Sequence, residues 1–161
     1  GLPGSGKTTA AAGVSALTKA VHLSSDAFRL AMFPNPTFSE TEHTLLYAAL
    51  DHLTEILLSQ GVDVIYDANL NRLHHRQDKY EICKKLDVDC TLLWVQTSRS
   101  LAQARRVADS HDMLRPPYES PEAMFNRIAT IFESPDDSGE AYTVLDGTKI
   151  TPSYLRSTLS L

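Results

Sequence analysis

Cysteine and long apolar runs are both scarce in this sequence of 161 residues. Only Cys83 and Cys90 are present, and their spacing matches neither a metal-binding pattern nor a disulfide framework. We therefore expect two buried free thiols in a reducing cytoplasm, rather than a disulfide-stapled secreted domain. No apolar run approaches the roughly 20 residues that cross a bilayer, so we expect no membrane association.

Basic charge is also limited. With 15 Lys and Arg against 20 Asp and Glu, the formal net charge is −5. Such a chain lacks the broad positive field that attracts DNA or anionic membranes without sequence preference. A small or short phosphorylatable substrate remains compatible with this charge. The guanine-reading motif Asn-Lys-x-Asp is absent as well, which argues against a GTP-dependent switch.

The most informative stretch that is present is GLPGSGKTT, at residues 1–9. It matches the phosphate-binding loop pattern G-x-x-x-x-G-K-[ST] at every fixed position. Glycines let the backbone N–H groups approach phosphate oxygens, Lys7 reaches the β- and γ-phosphates, and the Thr8 hydroxyl completes the shell of a magnesium ion. The predicted nucleotide-binding residues are Gly4, Ser5, Gly6, Lys7, Thr8 and Thr9.

Helix and strand patterns alternate through the chain, which predicts one α/β domain over residues 1–161. A helix follows the loop from Lys7 to about Lys19, and Gly13 within it predicts close packing against a sheet. A phosphate-binding loop normally follows a buried strand. Because the given sequence begins at the loop itself, we expect its first strand to be missing and the chain to be a fragment.

Two acidic residues follow predicted strands. A short strand over 20–23 leads to Asp26, and a second over 62–66 leads to Asp67. Asp26 is equally compatible with a helix cap and with a general base for an attacking hydroxyl, since ligands of open α/β sheets bind at the carboxyl ends of strands. Asp67 fits either a turn or a site near magnesium. Arg29, one turn after Asp26, is a candidate for holding a substrate anion.

A third predicted strand, 88–96, precedes a helix over 100–108 that carries Arg105 and Arg106. Polar residues without a repeating pattern follow, including Arg115. Together residues 97–120 have the composition of an arginine-bearing lid that closes over the transferred phosphate. A solvated charged hairpin is the alternative. The long helix between the first two strands begins with the capping box Ser39–Glu42 and supplies an apolar core stripe.

Three separated stretches, GLPGSGKTT, SSDAFR and DANLNRLHHR, together resemble the 5′-hydroxyl polynucleotide kinase and zeta-toxin-like branch of phosphate-loop kinases. The pattern Asp67-x-Asn69-Leu70-Asn71 followed by arginine is especially similar to the kinase domain of bacteriophage polynucleotide kinases. It also resembles bacterial ATP-binding proteins described as predicted kinases. The resemblance covers residues 1 to about 135.

The resemblance implies a three-layer P-loop NTPase fold with a mostly parallel sheet, ATP and Mg²⁺ as cofactors, and transfer of a phosphoryl group to a hydroxyl-bearing acceptor. By position, the implied catalytic residues are Lys7, Asp26 and Arg105. Arg106 and Arg115 are candidates for a second lid arginine, because the family's usual position is occupied by Asp109 and Ser110. The implied acceptor-binding residues are Arg29, Asp67, Asn69, and Arg72 or Arg76, and the implied metal-binding residues are Thr8 and Asp67.

The acceptor remains open at this stage. A nucleic-acid 5′ end, a nucleotide sugar and a small alcohol all fit, and the acidic charge favours a small molecule. The competing hypotheses are an ATP-dependent switch or ATPase module that acts on a partner protein, and a nucleoside or nucleotide kinase. The Asp67–Asn71 stretch argues against the latter. The sequence leaves the oligomeric state undetermined.

Overall fold

Helices alternate with parallel strands in the computed structural model, which describes residues 1–109 and 119–161. The strands are β1 Val21–Ser24, β2 Val64–Asp67, β3 Leu92–Gln96 and β4 Tyr142–Asp146. The helices are α1 Lys7–Thr18, α2 Ser25–Met32, α3 Glu40–Ser59, α4 Leu73–Leu86, α5 Arg99–Ala108, α6 Pro121–Thr130, α7 Pro135–Ser138 and α8 Pro152–Leu159.

The described strands form two parallel pairs. β1 pairs with β2 so that Ser24 lies beside Asp67, and β3 pairs with β4 so that Gln96 lies beside Asp146. Between the described strands, no backbone ladder joins the two pairs. In each pair the carboxyl ends lie level with one another. The loops that follow the strands are therefore brought together at one edge.

One core lies between α1, α8 and the pair β3–β4. Ala10 and Val14 of α1 pack with Val95, Leu145 and Leu155. Gly13 does not pack against the sheet as expected. A Cβ atom at this position would lie 2.6 Å from Leu155 Cδ1, so the glycine allows α8 to approach α1.

A second core lies beneath α3, where Leu23 packs with Leu46 and Leu50. The helix begins where expected, and the Ser39 hydroxyl accepts a hydrogen bond from the Glu42 backbone N–H at 3.3 Å. The Glu42 carboxylate does not complete a capping box. It accepts instead from the Thr37 and Phe38 backbone N–H groups, at 2.6 and 3.1 Å.

Several local expectations change in the folded chain. β3 begins at Leu92, four residues later than the start expected at Val88. The segment before β4 contains α7, because the Ser134 side chain caps a turn that Pro135 begins. Cys83 is half-buried and Cys90 is exposed, so the expectation of two buried thiols is wrong for Cys90. Among the helices of the described ranges, none has the length and apolar character to cross a bilayer.

Candidate active site

A cavity of about 1180 Å³ opens where the loops after β1, β2 and β4 meet the phosphate loop, α5 and α6. Most of the residues predicted from the sequence line it. They are Gly4, Gly6, Lys7, Thr8, Thr9, Asp26, Arg29, Asp67, Asn69, Arg72, Arg105 and Arg106. Arg115 lies outside the described residues. The fold therefore brings together, around one cavity, residues that lie about a hundred positions apart in the sequence.

The phosphate loop has the backbone that its glycines predict. Gly4 and Gly6 have φ values of +78° and +99°, and Gly6 forms the N-cap of α1. Lys7 Nζ donates to the Gly1 and Leu2 carbonyls, both at 3.0 Å. Burial lowers the pKa of Lys7 to about 8, although the nearby Asp67 and Asp26 carboxylates oppose this change. The lysine is thus folded back over the loop, where incoming phosphates offer it stronger acceptors.

Ser5 is buried and does not line the cavity, and among the described residues its Oγ has no hydrogen-bond partner. Its carbonyl accepts from Thr97 Oγ1 at 2.9 Å. Gly147, in the loop after β4, packs directly against this carbonyl: a Cβ atom there would lie 1.9 Å from Ser5 O. Sequence reasoning missed Gly147, although a glycine directly after a strand is a recognisable signal of close backbone approach.

α5 packs against the phosphate loop at Gly4. A Cβ atom at Gly4 would lie 2.2 Å from the Ala102 carbonyl oxygen, so the helix backbone touches the loop. Arg105 Nη1 donates to the Gly147 carbonyl at 3.2 Å. Arg106 Nη2 lies 3.5 Å from Met124 Sδ of α6. Both arginines therefore approach the predicted position of the nucleotide phosphates.

Asp26 lies in the first turn of α2, where the Ser24 side chain caps the helix by accepting from Ala27 N at 3.3 Å. Ser24 is therefore the cap, and Asp26 is left to face the cavity. Burial of the carboxylate in the cleft, followed by the charge of Asp67, raises the pKa of Asp26. Asp67 is itself buried, and its Oδ2 lies 3.0 Å from Nε2 of His22 on the neighbouring strand.

Arg29 lines the cavity but already has partners within the protein. It is buried, forms an ion pair with Glu42, and donates through Nη2 to His43 Nδ1 at 3.3 Å. Its guanidinium also lies 5.0 Å from the centre of the Phe38 ring. Glu42 thus neutralises the positive charge that the sequence alone leaves available for a substrate.

The structure distinguishes two arginines that the sequence leaves equivalent, Arg72 and Arg76. Arg72, the N-cap of α4, is exposed and lines the cavity. Arg76 is 2% exposed and does not line it. Its Nη2 donates to Glu140 Oε2 at 2.6 Å and its Nη1 to the Leu70 carbonyl at 3.0 Å. The expectation that Arg76 holds the acceptor is corrected by this buried network.

The donor set for magnesium is small. In the described ranges, no group of three or more His, Cys, Asp or Glu side chains is placed to hold a metal ion. Mg²⁺ in nucleotide sites usually uses one or two protein oxygens and completes its shell with phosphates and water. The exposed Thr8 hydroxyl at the start of α1 and the Asp67 carboxylate fit this requirement.

Other cavity residues escaped the sequence reasoning. His43 and Tyr47 of α3 line the side near Arg29, with ring centres 4.5 Å apart, and His75 of α4 lies on the same side. Arg127 of α6 also lines the cavity and is paired with Glu119 at 2.7 Å. All four lie in helices whose periodicity predicts core or surface positions. Only the packing of α3, α4 and α6 turns them towards the site.

Solved structures with a similar fold include three kinases. A gluconokinase from Sinorhizobium meliloti 1021 has a TM-score of 0.68 at 13% identity, over 99% of this chain and 86% of that one. A sugar kinase from Janibacter sp. HTCC2649 has a TM-score of 0.65 at 18% identity, over 99% and 88%. The APS kinase CysC of Mycobacterium tuberculosis, in complex with AMPPNP and APS, has a TM-score of 0.57 at 20% identity, over 83% and 94%.

At these identities the likeness shows the fold, and it confirms the expected α/β P-loop NTPase type. Among proteins of curated function, none matches the chain significantly. The sequence does match the AAA_33 family, described as an AAA domain, over residues 1–135. That match runs from the phosphate loop through every predicted site residue. The chain therefore belongs to the AAA_33 family of AAA domains.

Proposed function

We propose that this protein is an ATP- and magnesium-dependent kinase that moves the γ-phosphoryl group of ATP to a hydroxyl of an acceptor. One observation carries the proposal: Asp26, a carboxylate with a raised pKa, shares a single cavity with the phosphate loop and the α5 arginines. A module that only binds nucleotide has no need of such a base, and an ATPase would use it on water instead of an acceptor hydroxyl. The similar solved structures, three kinases, agree with this reading.

The phosphate end of the cavity provides binding and charge stabilisation. The loop N–H groups and Lys7 would hold the β- and γ-phosphates, and Arg105 would stabilise negative charge on the transferred group. Magnesium, held by Thr8 and Asp67 with the nucleotide, would supply further neutralisation of phosphate charge. Because phosphoryl transfer needs little covalent chemistry from the protein, positioning by these groups accounts for most of the catalysis.

Asp26 supplies the acid–base chemistry in this proposal. The acceptor oxygen forms a bond to the γ-phosphorus while the bond from that phosphorus to the β,γ-bridging oxygen breaks, releasing ADP. The proton of the acceptor hydroxyl passes to the Asp26 carboxylate and from there to solvent. A raised pKa makes Asp26 a better proton acceptor than an ordinary aspartate.

The resemblance to polynucleotide 5′-hydroxyl kinases and zeta-toxin-like nucleotide-sugar kinases narrows the acceptor to hydroxyl-bearing molecules with phosphate or sugar groups. We propose further that residues 1–161 act as one domain and that the protein works in the cytoplasm. A second candidate is an ATPase or switch that acts on a protein partner. The ion pair between Arg29 and Glu42 slightly favours this second candidate, because the pairing lowers the positive charge that a substrate could use.

The test is transfer of label from γ-labelled ATP with magnesium to a panel of hydroxyl acceptors. We expect Asp26→Asn to lower turnover at least ~100-fold, since general-base catalysis contributes about that much. Nucleotide binding should stay intact, because Asn keeps the shape of the side chain. Asp89→Asn, at an exposed loop position, is the matched control. Near-normal transfer by Asp26→Asn would reduce Asp26 to a first-turn residue of α2.

A further inference from the structure

The cationic side chains around the cavity differ in whether their N–H groups already have hydrogen-bond or ion-pair partners within the protein. Lys7 donates to two loop carbonyls, Arg29 is paired with Glu42, and Arg105 donates to the Gly147 carbonyl. Arg72 differs from these three. It is exposed at the cavity wall and has no hydrogen bond or ion pair within the part of the chain that the structure describes.

The position of Arg72 keeps its guanidinium available. The residue is the N-cap of α4 with extended backbone, φ −110° and ψ 148°, and its side chain makes no capping hydrogen bond. It therefore does not stabilise the helix. Arginine presents several N–H donors in a planar fork that matches the oxygens of a carboxylate or phosphate. An anionic group in the cavity would supply the acceptors that the protein does not.

The surroundings of Arg72 favour hydroxyl groups. His75 and His43 line the same side of the cavity. Burial lowers the pKa of His75, with further contributions from His74, His43 and Arg72, and burial together with Arg29 lowers the pKa of His43. The lowered pKa values favour the neutral form of both imidazoles. His75 can then donate one hydrogen bond and accept another, whereas His43, whose Nδ1 already accepts from Arg29, keeps its Nε2–H group as a donor.

Asn71 provides an independent indication. It lines the cavity, is 6% exposed, and its side-chain Oδ1 accepts no hydrogen bond from residues 1–109 or 119–161. A buried acceptor without a donor is unfavourable, and structures rarely keep one without a reason. A ligand hydroxyl that entered beside Arg72 would provide the missing donor.

We infer that the acceptor is a small polyhydroxylated molecule with a single anionic group, carboxylate or phosphate, which Arg72 binds while neutral side chains hold its hydroxyls. This inference rests on the proposed function. A nucleic-acid end would present a series of phosphates, which calls for several unpaired cations along a groove. At this wall of the cavity the described residues offer Arg72 alone, because Glu42 neutralises Arg29.

The experiment compares acceptors that differ only in one terminal group. D-Glucitol, D-gluconate and D-glucitol 1-phosphate share a six-carbon chain of hydroxyls and carry at C1 an alcohol, a carboxylate or a phosphate. A 5′-hydroxyl oligonucleotide is the fourth acceptor. Initial rates of transfer from γ-labelled ATP give kcat and KM for each, and preference between the two anionic compounds identifies the charged group.

We expect kcat/KM to be at least about tenfold higher for one anionic compound than for D-glucitol, as a charge-assisted hydrogen bond predicts. Equal kcat/KM for D-glucitol, or transfer to the oligonucleotide alone, would overturn the inference and leave the kinase proposal standing. Release of inorganic phosphate with all four acceptors would instead overturn the kinase proposal, and this inference with it.

Substitution of Arg72 separates acceptor binding from folding. Arg72→Gln should raise the KM for the anionic acceptor roughly 10- to 100-fold and change the kcat and the nucleotide KM little. Arg156→Gln, at an exposed position of α8, is the matched control and should behave like wild type. An unchanged acceptor KM in Arg72→Gln would overturn the assignment of Arg72, whatever the acceptor proves to be.

Discussion

Single residues decide the chemistry of this site through their immediate partners. Asp26 follows β1 and Asp67 ends β2, the two strands of one parallel pair, yet their environments differ. Asp67 is buried and lies against His22, whereas Asp26 faces the cavity with a raised pKa. One carboxylate is thus fixed in position and the other is left to accept a proton, a division that suits phosphoryl transfer.

Lys7 is the side chain of the phosphate loop whose substitution we expect to affect nucleotide binding most. We expect Lys7→Ala to abolish transfer and to remove the increase in Tm that ATP gives wild type, because no other cation of the loop reaches the phosphates. Thermal unfolding with and without ATP measures this directly. Lys19→Ala, beyond the end of α1, controls for the loss of a lysine. A normal ATP-dependent shift in Lys7→Ala would contradict the phosphate-loop assignment.

Elements meet at this site through backbone contacts. The phosphate loop contacts both α5 and the loop after β4, with Gly4 and Gly147 at the two contacts. Arg105 connects these neighbours by donating to the Gly147 carbonyl. A shift of the loop after β4 would therefore displace both the phosphate loop and α5.

Gly147→Ala should disturb this arrangement. The added methyl group would lie 1.9 Å from Ser5 O and 2.4 Å from Thr97 Oγ1, so the loop must move. We expect a loss of stability of about 1–3 kcal/mol, the usual cost of overpacking, and weaker ATP binding. Urea unfolding and calorimetric titration with ATP measure the two effects.

Gly139→Ala is the control for that change. No atom lies within 4 Å of the added methyl group at Gly139, so the substitution carries only the strain of a positive φ, +69°. It should lower stability by roughly 1 kcal/mol and leave ATP binding unchanged. Equal effects of the two substitutions on ATP affinity would show that the contact between Gly147 and Ser5 does not shape the loop.

At the scale of the whole molecule, a buried network joins α4 to the segment before β4. Arg76 donates to Glu140 through Nε and Nη2, and Tyr80 and Ser138 donate to the same carboxylate. Burial alone would raise the pKa of Glu140, but these hydrogen bonds outweigh it and hold the pKa at about 2. Glu140 therefore stabilises the fold in its ionised form.

We expect Arg76→Met to lower the free energy of unfolding by about 3–5 kcal/mol at pH 7, because it leaves a buried carboxylate without its partner. Arg72→Met, four residues earlier and exposed, should change it by no more than about 0.5 kcal/mol. Urea unfolding of both variants gives the comparison. Similar stability of the two would contradict the network.

The network around Glu140 also predicts that the stability of the fold depends on pH in the acidic range. The pKa of Glu140 is depressed in the folded state, so its contribution is complete above the ordinary value of 4.5 and is lost as the pH falls towards about 2. The stability difference between wild type and Arg76→Met should therefore shrink over that interval.

How much of the fold and of the candidate site can be predicted from the sequence depends on whether the interactions involved are local in the chain. The phosphate loop, the Ser39 cap and the carboxylates at the ends of β1 and β2 are local in sequence, because backbone conformation and capping involve neighbouring residues. The choice between Arg72 and Arg76 is not local. It depends on Glu140, which lies 64 residues from Arg76.

The sequence by itself determined the α/β class, the nucleotide loop and the placement of Asp26 and Asp67 at strand ends, since each follows from short-range pattern and strand polarity. Tertiary structure alone decided that Glu42 neutralises Arg29 and that Gly147 packs against the phosphate loop. It also decided that Arg72 faces the cavity while Arg76 is buried. The physical reason is that pairing of charges and close backbone approach depend on which elements pack together, and packing is a property of the whole chain.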